Sequence, residues 1–217
     1  MNKTHGADRQ TLRARLIIKT LTRLFPNAGM MLVYAQPWEL LFAVILSAQC
    51  TDKKVNQVTV RLFNKYPTLQ AYVRAKPSVF ERDIYETGYF RQKAKHILAT
   101  ARILQEVYRG QLPRTMEGLM ALPGVGRKTA NVVLGNAYGI VQGIAVDTHV
   151  RRLAIKYGLA THTDVKRIEQ DLMRLFPKKE WFHLTYLLIE YGRTYCSARA
   201  HDHERCPLTI ALSRRKC

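Results

Sequence analysis

The chain has 217 residues, room for one large domain or two small lobes. At 47% hydrophobic and 24% charged it has the composition of a globular protein with a real core. Lys and Arg number 35 against 16 Asp and Glu, a formal net charge of +19, and no block of like charge holds the excess. A basic field spread over a folded surface attracts polyanions, nucleic acid before all others. An acidic membrane surface is the rival partner, but no basic amphipathic stretch supports it. The opening MNKTHGADRQ is polar and unlike a secretory signal, and the longest apolar run, Leu40 to Ala48, is far short of a membrane span. Four unevenly spaced cysteines (Cys50, Cys196, Cys206, Cys217) do not make a secreted disulfide framework. The expectation is a soluble, monomeric, cytoplasmic protein, nucleoid-associated if its source is prokaryotic.

Helical periodicity dominates the chain. Leu12, Leu16, Ile17, Leu21, Leu24 and Phe25 repeat at three- and four-residue steps, and Asn27-Ala28-Gly29 supplies a stop. Glu39 to Ala48 is apolar nearly all round, which predicts a helix buried within the fold. Thr51-Asp52 opens the next, through Val55, Val58, Leu62 and Phe63. Ala94, Ile97, Leu98, Ala101, Leu104 and Tyr108 form a further stripe, and Met116 to Leu122 a short helical turn. Only Gly139 to Val146 has strand-like content, and a lone strand has nothing to pair with. Val165, Ile168, Leu172, Leu175 and Phe176 mark a helix with Thr163 as N-cap and Pro177 at its end, and Trp181 to Tyr195 reads as a late helix. The fold class is all-α, with about ten helices on ordinary helix and loop lengths.

Residues Leu122 to Ala130 read LPGVGRKTA, with Asn131 to Leu134 continuing as a helix. Gly124 and Gly126 permit the tight reversal of an αα-hairpin and let backbone N–H groups at a helix start approach a phosphate. The plain alternative is a helix turn with a glycine C-cap. Arg127 and Lys128 bear on that choice, because cations oppose the dipole at a helix N-terminus. They point to a bound anion, or to a lysine whose charge is meant to be reduced so that its amine can attack carbon. From the motif alone, phosphate contact and nucleophilic attack stand level for Lys128. Downstream, Asp147 lies between an apolar segment and a helix running through Leu153 and Tyr157. It reads as an ordinary N-cap, or as a carboxylate that assists proton transfer and stabilises positive charge on a sugar.

LPGVGRKTANVVL followed by VDTHV resembles the endonuclease III family, within the helix-hairpin-helix DNA glycosylases. LLFAVILSAQCTDKKVNQV (Leu40 to Val58) resembles that family's buried helix and following loop, and TGYFRQKA (Thr87 to Ala94) its mid-chain loop. The resemblance implies two helical lobes with a DNA-binding cleft between them: residues 29–138 with the hairpin at 116–134, and a second lobe of 1–28 plus 139–217. It implies that Lys128 and Asp147 are catalytic, at the mouth of the cleft. Lys128 would attack C1′ of a damaged nucleotide, expel the base, form a Schiff base and break the strand by β-elimination. Gly124, Val125, Gly126 and Arg127 take the position of the backbone grip. Gln49 takes the place of a residue inserted where the base flips out, and Tyr89 that of a second wedge, often leucine in the family. Tyrosine can still stack on a base.

The family's C-terminal pattern C-x6-C-x2-C-x5-C, which holds a [4Fe-4S] cluster, is incomplete. Cys196 and Cys206 match its first and third positions, His203 stands at the second and Leu212 at the fourth, with Cys217 beyond. Three readings follow: no cluster, a cluster with His203 and a rerouted Cys217, or zinc on Cys196, His203 and Cys206 with Cys217 or His201. The first is favoured, and no cofactor is required for the chemistry. Arg199, Arg205, Arg214, Arg215 and Lys216 are phosphate contacts or a solvated basic tail, and Cys50 a small buried residue.

The expected function is a base-excision repair enzyme, a bifunctional DNA glycosylase and AP lyase. Its partner is double-stranded DNA carrying an oxidised pyrimidine or an abasic site. A monofunctional mismatch or adenine glycosylase would keep Asp147 without needing lysine at 128. A non-catalytic DNA-binding module would need neither.

Overall fold

In the computed structural model, residues 3–214 are described, with side chains from Arg9 onward; Arg215, Lys216 and Cys217 lie outside the described residues. Helix α1 spans Lys3–Leu24. It stops before Pro26, whose missing N–H cannot continue the ladder, and so ends earlier than the expected Asn27-Ala28-Gly29 stop. Its inward face carries Ala14, Ile17 and Leu21, while Leu12 is exposed.

Seven helices follow. Helix α2 (Pro37–Leu46) begins with proline at N1, where no donor is lost. The Glu39 carboxylate accepts from the N–H groups of Ala35 at 2.6 Å and Gln36 at 2.9 Å, closing the entry turn. Every residue from Trp38 to Leu46 is buried, as an all-round apolar helix requires. Helix α3 (Asp52–Lys65) is capped by Thr51, whose hydroxyl accepts from Lys54 N at 3.3 Å. It buries Val55, Val58 and Leu62, spaced by three and four.

Helices α4 (Leu69–Arg74) and α5 (Pro77–Asp83) are too short to show a helical period in the sequence. Their Tyr72 and Phe80 join Trp38, Phe42 and Tyr66 in an aromatic cluster with ring centroids 5.0–5.7 Å apart. A 3-10 turn at Tyr85–Thr87 leads into α6 (Phe90–Glu106), which buries the expected stripe through Leu104. Tyr108 falls beyond the end of that helix and is half-buried. Helices α7 (Met116–Met120) and α8 (Arg127–Tyr138) form the hairpin, and Gly139 closes α8 at φ 66°.

The chain then runs extended from Ile140 to Val146, where strand-like composition led to no strand; none occurs among the described residues. Gly143 to Val146 are buried, and Thr185 donates to the Ala145 carbonyl at 3.2 Å, so the apolar content reflects a covered connector. Helix α9 (Thr148–Lys156) follows, then α10 (Val165–Leu175), α11 (Lys178–Thr194), a 3-10 turn at His203–Arg205, and α12 (Pro207–Ser213). The cap of α10 is Asp164, which accepts from Arg167 N at 3.0 Å. Thr163, the expected cap, is one residue too early; its carbonyl accepts from Arg151 Nε at 3.1 Å instead. Val165 is correspondingly exposed.

The chain divides into two compact units, one of Met31–Gln142 and one of Met1–Met30 with Gly143–Cys217. The first is built on α2, buried among its neighbours. The second has a core of its own from α1, α9, α10, α11 and α12, including Ile17, Leu21, Leu153, Leu172, Leu188 and Leu208. Each fully buried Leu or Ile contributes about 1.5–3 kcal/mol relative to an exposed one. No described helix is long and apolar enough to cross a membrane.

Candidate active site and C-terminal metal-ligand cluster

The hairpin is held from beneath. Thr115 caps α7 by accepting from Gly118 N at 3.1 Å, and Thr100 of α6 donates to the Pro123 carbonyl at 3.1 Å. Gly124 adopts φ +78°, and a Cβ there would lie 2.6 Å from the His96 ring, so both backbone and space exclude a side chain. The Val125 side chain is buried, and its N–H is given to the Leu122 carbonyl at 3.2 Å. Gly126 is the N-cap of α8, exposed, with nothing within 4 Å of the position a Cβ would take. Lacking a side chain, it offers no acceptor to the first-turn amides, which have no partner inside the helix. That turn carries Arg127, exposed, and Lys128, half-buried, and no acidic residue.

Gln49 and Tyr89 share an unusual geometry. Both are exposed, and with Arg109 they are the non-glycine residues of positive φ among those described, at 54° and 47°. Left-handed backbone costs a residue with a Cβ about 1–3 kcal/mol and persists only where the surroundings over-determine it. The buried ammonium of Lys93 supplies part of that constraint. It donates to the Leu46 carbonyl at 2.8 Å and to the Thr87 carbonyl at 2.7 Å. One cation thereby ties the end of α2, three residues before Gln49, to the turn two residues before Tyr89. Burial pushes the Lys93 pKa below the ordinary lysine value, with the nearby Cys50 thiol opposing the shift. Sequence reasoning passed over Lys93. The available signal was its place on the apolar stripe of α6, four residues before Ile97 and eight before Ala101. Cys50 itself is half-buried, not enclosed as expected.

In the other unit, Asp147 caps α9, its carboxylate accepting from Val150 N at 2.8 Å, and is half-buried. His149, two residues on, packs against Gly192, where a Cβ would lie 2.5 Å from its Nδ1. Burial holds its pKa below the ordinary imidazole value, partly offset by Asp147.

The family model described as HhH-GPD superfamily base excision DNA repair protein matches residues 42–178, which include the hairpin and Asp147. The chain belongs to the HhH-GPD superfamily. It is 48% identical to endonuclease III of Synechocystis sp. over 90% of each chain. It is 44% identical to endonuclease III of Bacillus subtilis, over 85% of this chain and 84% of that one. Among solved structures it is similar to a trapped endonuclease III–DNA covalent intermediate, at 41% identity and a TM-score of 0.87, with 94% of this chain and 98% of that one covered. A non-covalent endonuclease III–DNA complex gives 41% identity and a TM-score of 0.88.

At the C-terminal loop this HhH-GPD chain gathers Cys196, His201, His203 and Cys206, whose ligating atoms all lie within 4.8 Å of one another, a set that could hold a metal ion. Cys196 follows α11 and Cys206 caps α12; both thiols are buried. Burial raises the Cys206 pKa and lowers that of His203. The donor set does not fit a cubane. Leu212, at the fourth position of the cluster pattern, packs as a partly buried side chain against the core. Cys217, the other cysteine considered for this loop, lies outside the described residues.

Proposed function

We propose that this chain is a bifunctional DNA glycosylase and AP lyase of base-excision repair, acting on duplex DNA that carries an oxidised pyrimidine or an abasic site. The observation that carries the reading is the start of α8: a glycine cap followed by a half-buried Lys128 in a first turn without acidic residues. A helix start so arranged receives a phosphate on its amides, and it sets the half-buried Lys128 amine beside that phosphate as the candidate nucleophile.

In the proposed reaction the Lys128 lone pair forms a bond to C1′, and the glycosidic C1′–N bond breaks with its electrons leaving on the base. Asp147 stabilises the positive charge that develops on the sugar and assists proton transfer. The sugar opens to a protonated Schiff base, whose electron demand at C1′ acidifies C2′–H. Loss of that proton expels the 3′ phosphate and cuts the strand. Gln49 and Tyr89 are the inserted side chains, and their exposed, backbone-strained turns support the assignment. Gly124, Gly126 and Arg127 grip the backbone without reading sequence. Val125 contributes the inward anchor of that grip, since its side chain and N–H are both engaged within the hairpin. The diffuse excess of positive charge supplies affinity for undamaged DNA during the search. No cofactor enters the chemistry, and the loop carries no [4Fe-4S] cluster, a reading supported by His203 and Leu212 in place of cysteines.

Borohydride reduction of a reaction mixture tests the central step. Wild type should give a covalent enzyme–DNA adduct on damaged and on abasic duplex, and Lys128→Gln should give none. A variant that still nicked abasic DNA at the wild-type rate would remove Lys128 from the mechanism. Base release without any adduct in the wild type would favour a monofunctional glycosylase.

A further inference from the structure

We propose that the C-terminal loop is a mononuclear zinc site, with Cys196 Sγ, His201 Nε2, His203 Nδ1 and Cys206 Sγ as its four ligands. Distances decide between one ion and a cluster. Zinc bonds of about 2.3 Å to sulfur and 2.0–2.1 Å to nitrogen in a tetrahedron set ligand-to-ligand edges of about 3.3–3.8 Å. The structure has Cys196 Sγ at 3.7 Å from His203 Nδ1 and Cys206 Sγ at 3.3 Å from His201 Nε2. In a cubane each sulfur ligates a different iron, which holds the ligating atoms roughly 6 Å apart. The four donors here lie within 4.8 Å of one another, too close to surround a cluster.

The imidazoles are also set in the tautomers that coordination needs. His201 Nδ1 faces the Arg199 carbonyl at 2.8 Å. A carbonyl only accepts, so Nδ1 carries the proton and Nε2 presents its lone pair to the cluster. His203 Nε2 lies 3.1 Å from Thr209 Oγ1, which can accept its proton and leave Nδ1 free for the metal. Of the two carboxylates within the ligand run, Asp202 accepts from Glu204 N at 3.1 Å and caps the 3-10 turn, and Glu204 is exposed. Two thiolates and two neutral imidazoles balance a dication, and the mixed sulfur–nitrogen tetrahedron suits zinc above harder metals. Arg152 Nη1, 3.8 Å from Cys196 Sγ and 3.3 Å from the Ser197 carbonyl, adds a cation beside one thiolate. Binding releases both thiol protons, including the one that Cys206 gives to the Tyr195 carbonyl at 3.4 Å. The spacing is C-x4-H-x-H-x2-C, so the sequence reading that paired zinc with Cys217 or His201 resolves to His201. This inference rests on the loop alone and stands or falls apart from the glycosylase reading.

The test is elemental analysis and spectroscopy of the full-length chain purified without chelator. The expected result is one zinc per chain without acid-labile sulfide, and cobalt(II) exchange that gives the intense visible bands of a tetrahedral thiolate site. His201→Ala, at an exposed position, and His203→Ala, at a half-buried one, should each weaken zinc retention against a competing chelator by more than ~100-fold. Thr209→Val should weaken it ~10–100-fold, the usual loss for a group that orients a ligand. Iron with sulfide, a Cys196–Cys206 disulfide, or a chain that takes up neither zinc nor cobalt would each overturn the proposal. So would zinc retained undiminished in a folded His201→Ala, His203→Ala double variant.

Discussion

The starts of α8 and α9 are built from opposite choices. At α9, Asp147 places a carboxylate on the first-turn amides, the arrangement that stabilises a helix end most directly. At α8, Gly126 offers no side chain, and the turn carries two cations against the dipole. The second arrangement gives up local stability and leaves a cationic, open helix start. The difference teaches that a helix terminus can be finished for the fold or left for a ligand, and that only the unfinished one advertises function by itself. Asp147 can serve both ends, because capping uses one carboxylate oxygen and leaves the other.

The contrast can be broken first at Asp147. Asparagine caps as well as aspartate, so Asp147→Asn should keep the melting temperature while base excision falls ~10²–10⁴-fold, the range for a lost acid–base group. Single-turnover rates beside thermal melts check this, and equal activity would reduce Asp147 to a cap. Next, Gly124→Ala should cost about 1–3 kcal/mol in urea unfolding, for a side chain forced into left-handed backbone against the His96 ring. Third, Gly126→Asp would give α8 the cap that α9 has. Stability should rise by only about 0.2–0.5 kcal/mol, since glycine is itself a tolerated cap, while affinity for abasic duplex falls ~10-fold or more as the carboxylate takes the amides and repels phosphate. Unchanged binding would mean the helix start does not face DNA.

The smallest effect concerns the support of the Tyr89 turn. Glu86 accepts from Lys54 at 2.8 Å and pairs with Arg61, and these two cations lower its pKa from 4.5 to about 2. A carboxylate depressed on folding stabilises fully above the unfolded value and loses that contribution as pH falls from 4.5 toward 2. Glu86→Gln should therefore differ slightly from wild type in urea midpoint at pH 7 and converge with it near pH 2. Because the group is exposed, added salt should shrink the pH 7 difference.

Much of this protein was readable before any coordinates. Helical period, the buried character of α2, the Thr51 cap, the Gly-x-Gly hairpin and the Asp147 position are properties of residues a few places apart, and local spacing is what a sequence displays. Even there the cap of α10 slipped from Asp164 to Thr163, since both residue types cap helices and only the reach to Arg167 N separates them. Short α4 and α5 stayed hidden because six or seven residues span fewer than two turns, too few for an apolar repeat to show. What tertiary structure alone decided are contacts that spacing does not give: the Lys93 ammonium between the carbonyls of Leu46 and Thr87, the left-handed turns at Gln49 and Tyr89, and the approach of His201 to the set of Cys196, His203 and Cys206. Each depends on where a side chain's partner is delivered by the packing of other helices, and no count along the chain contains that distance.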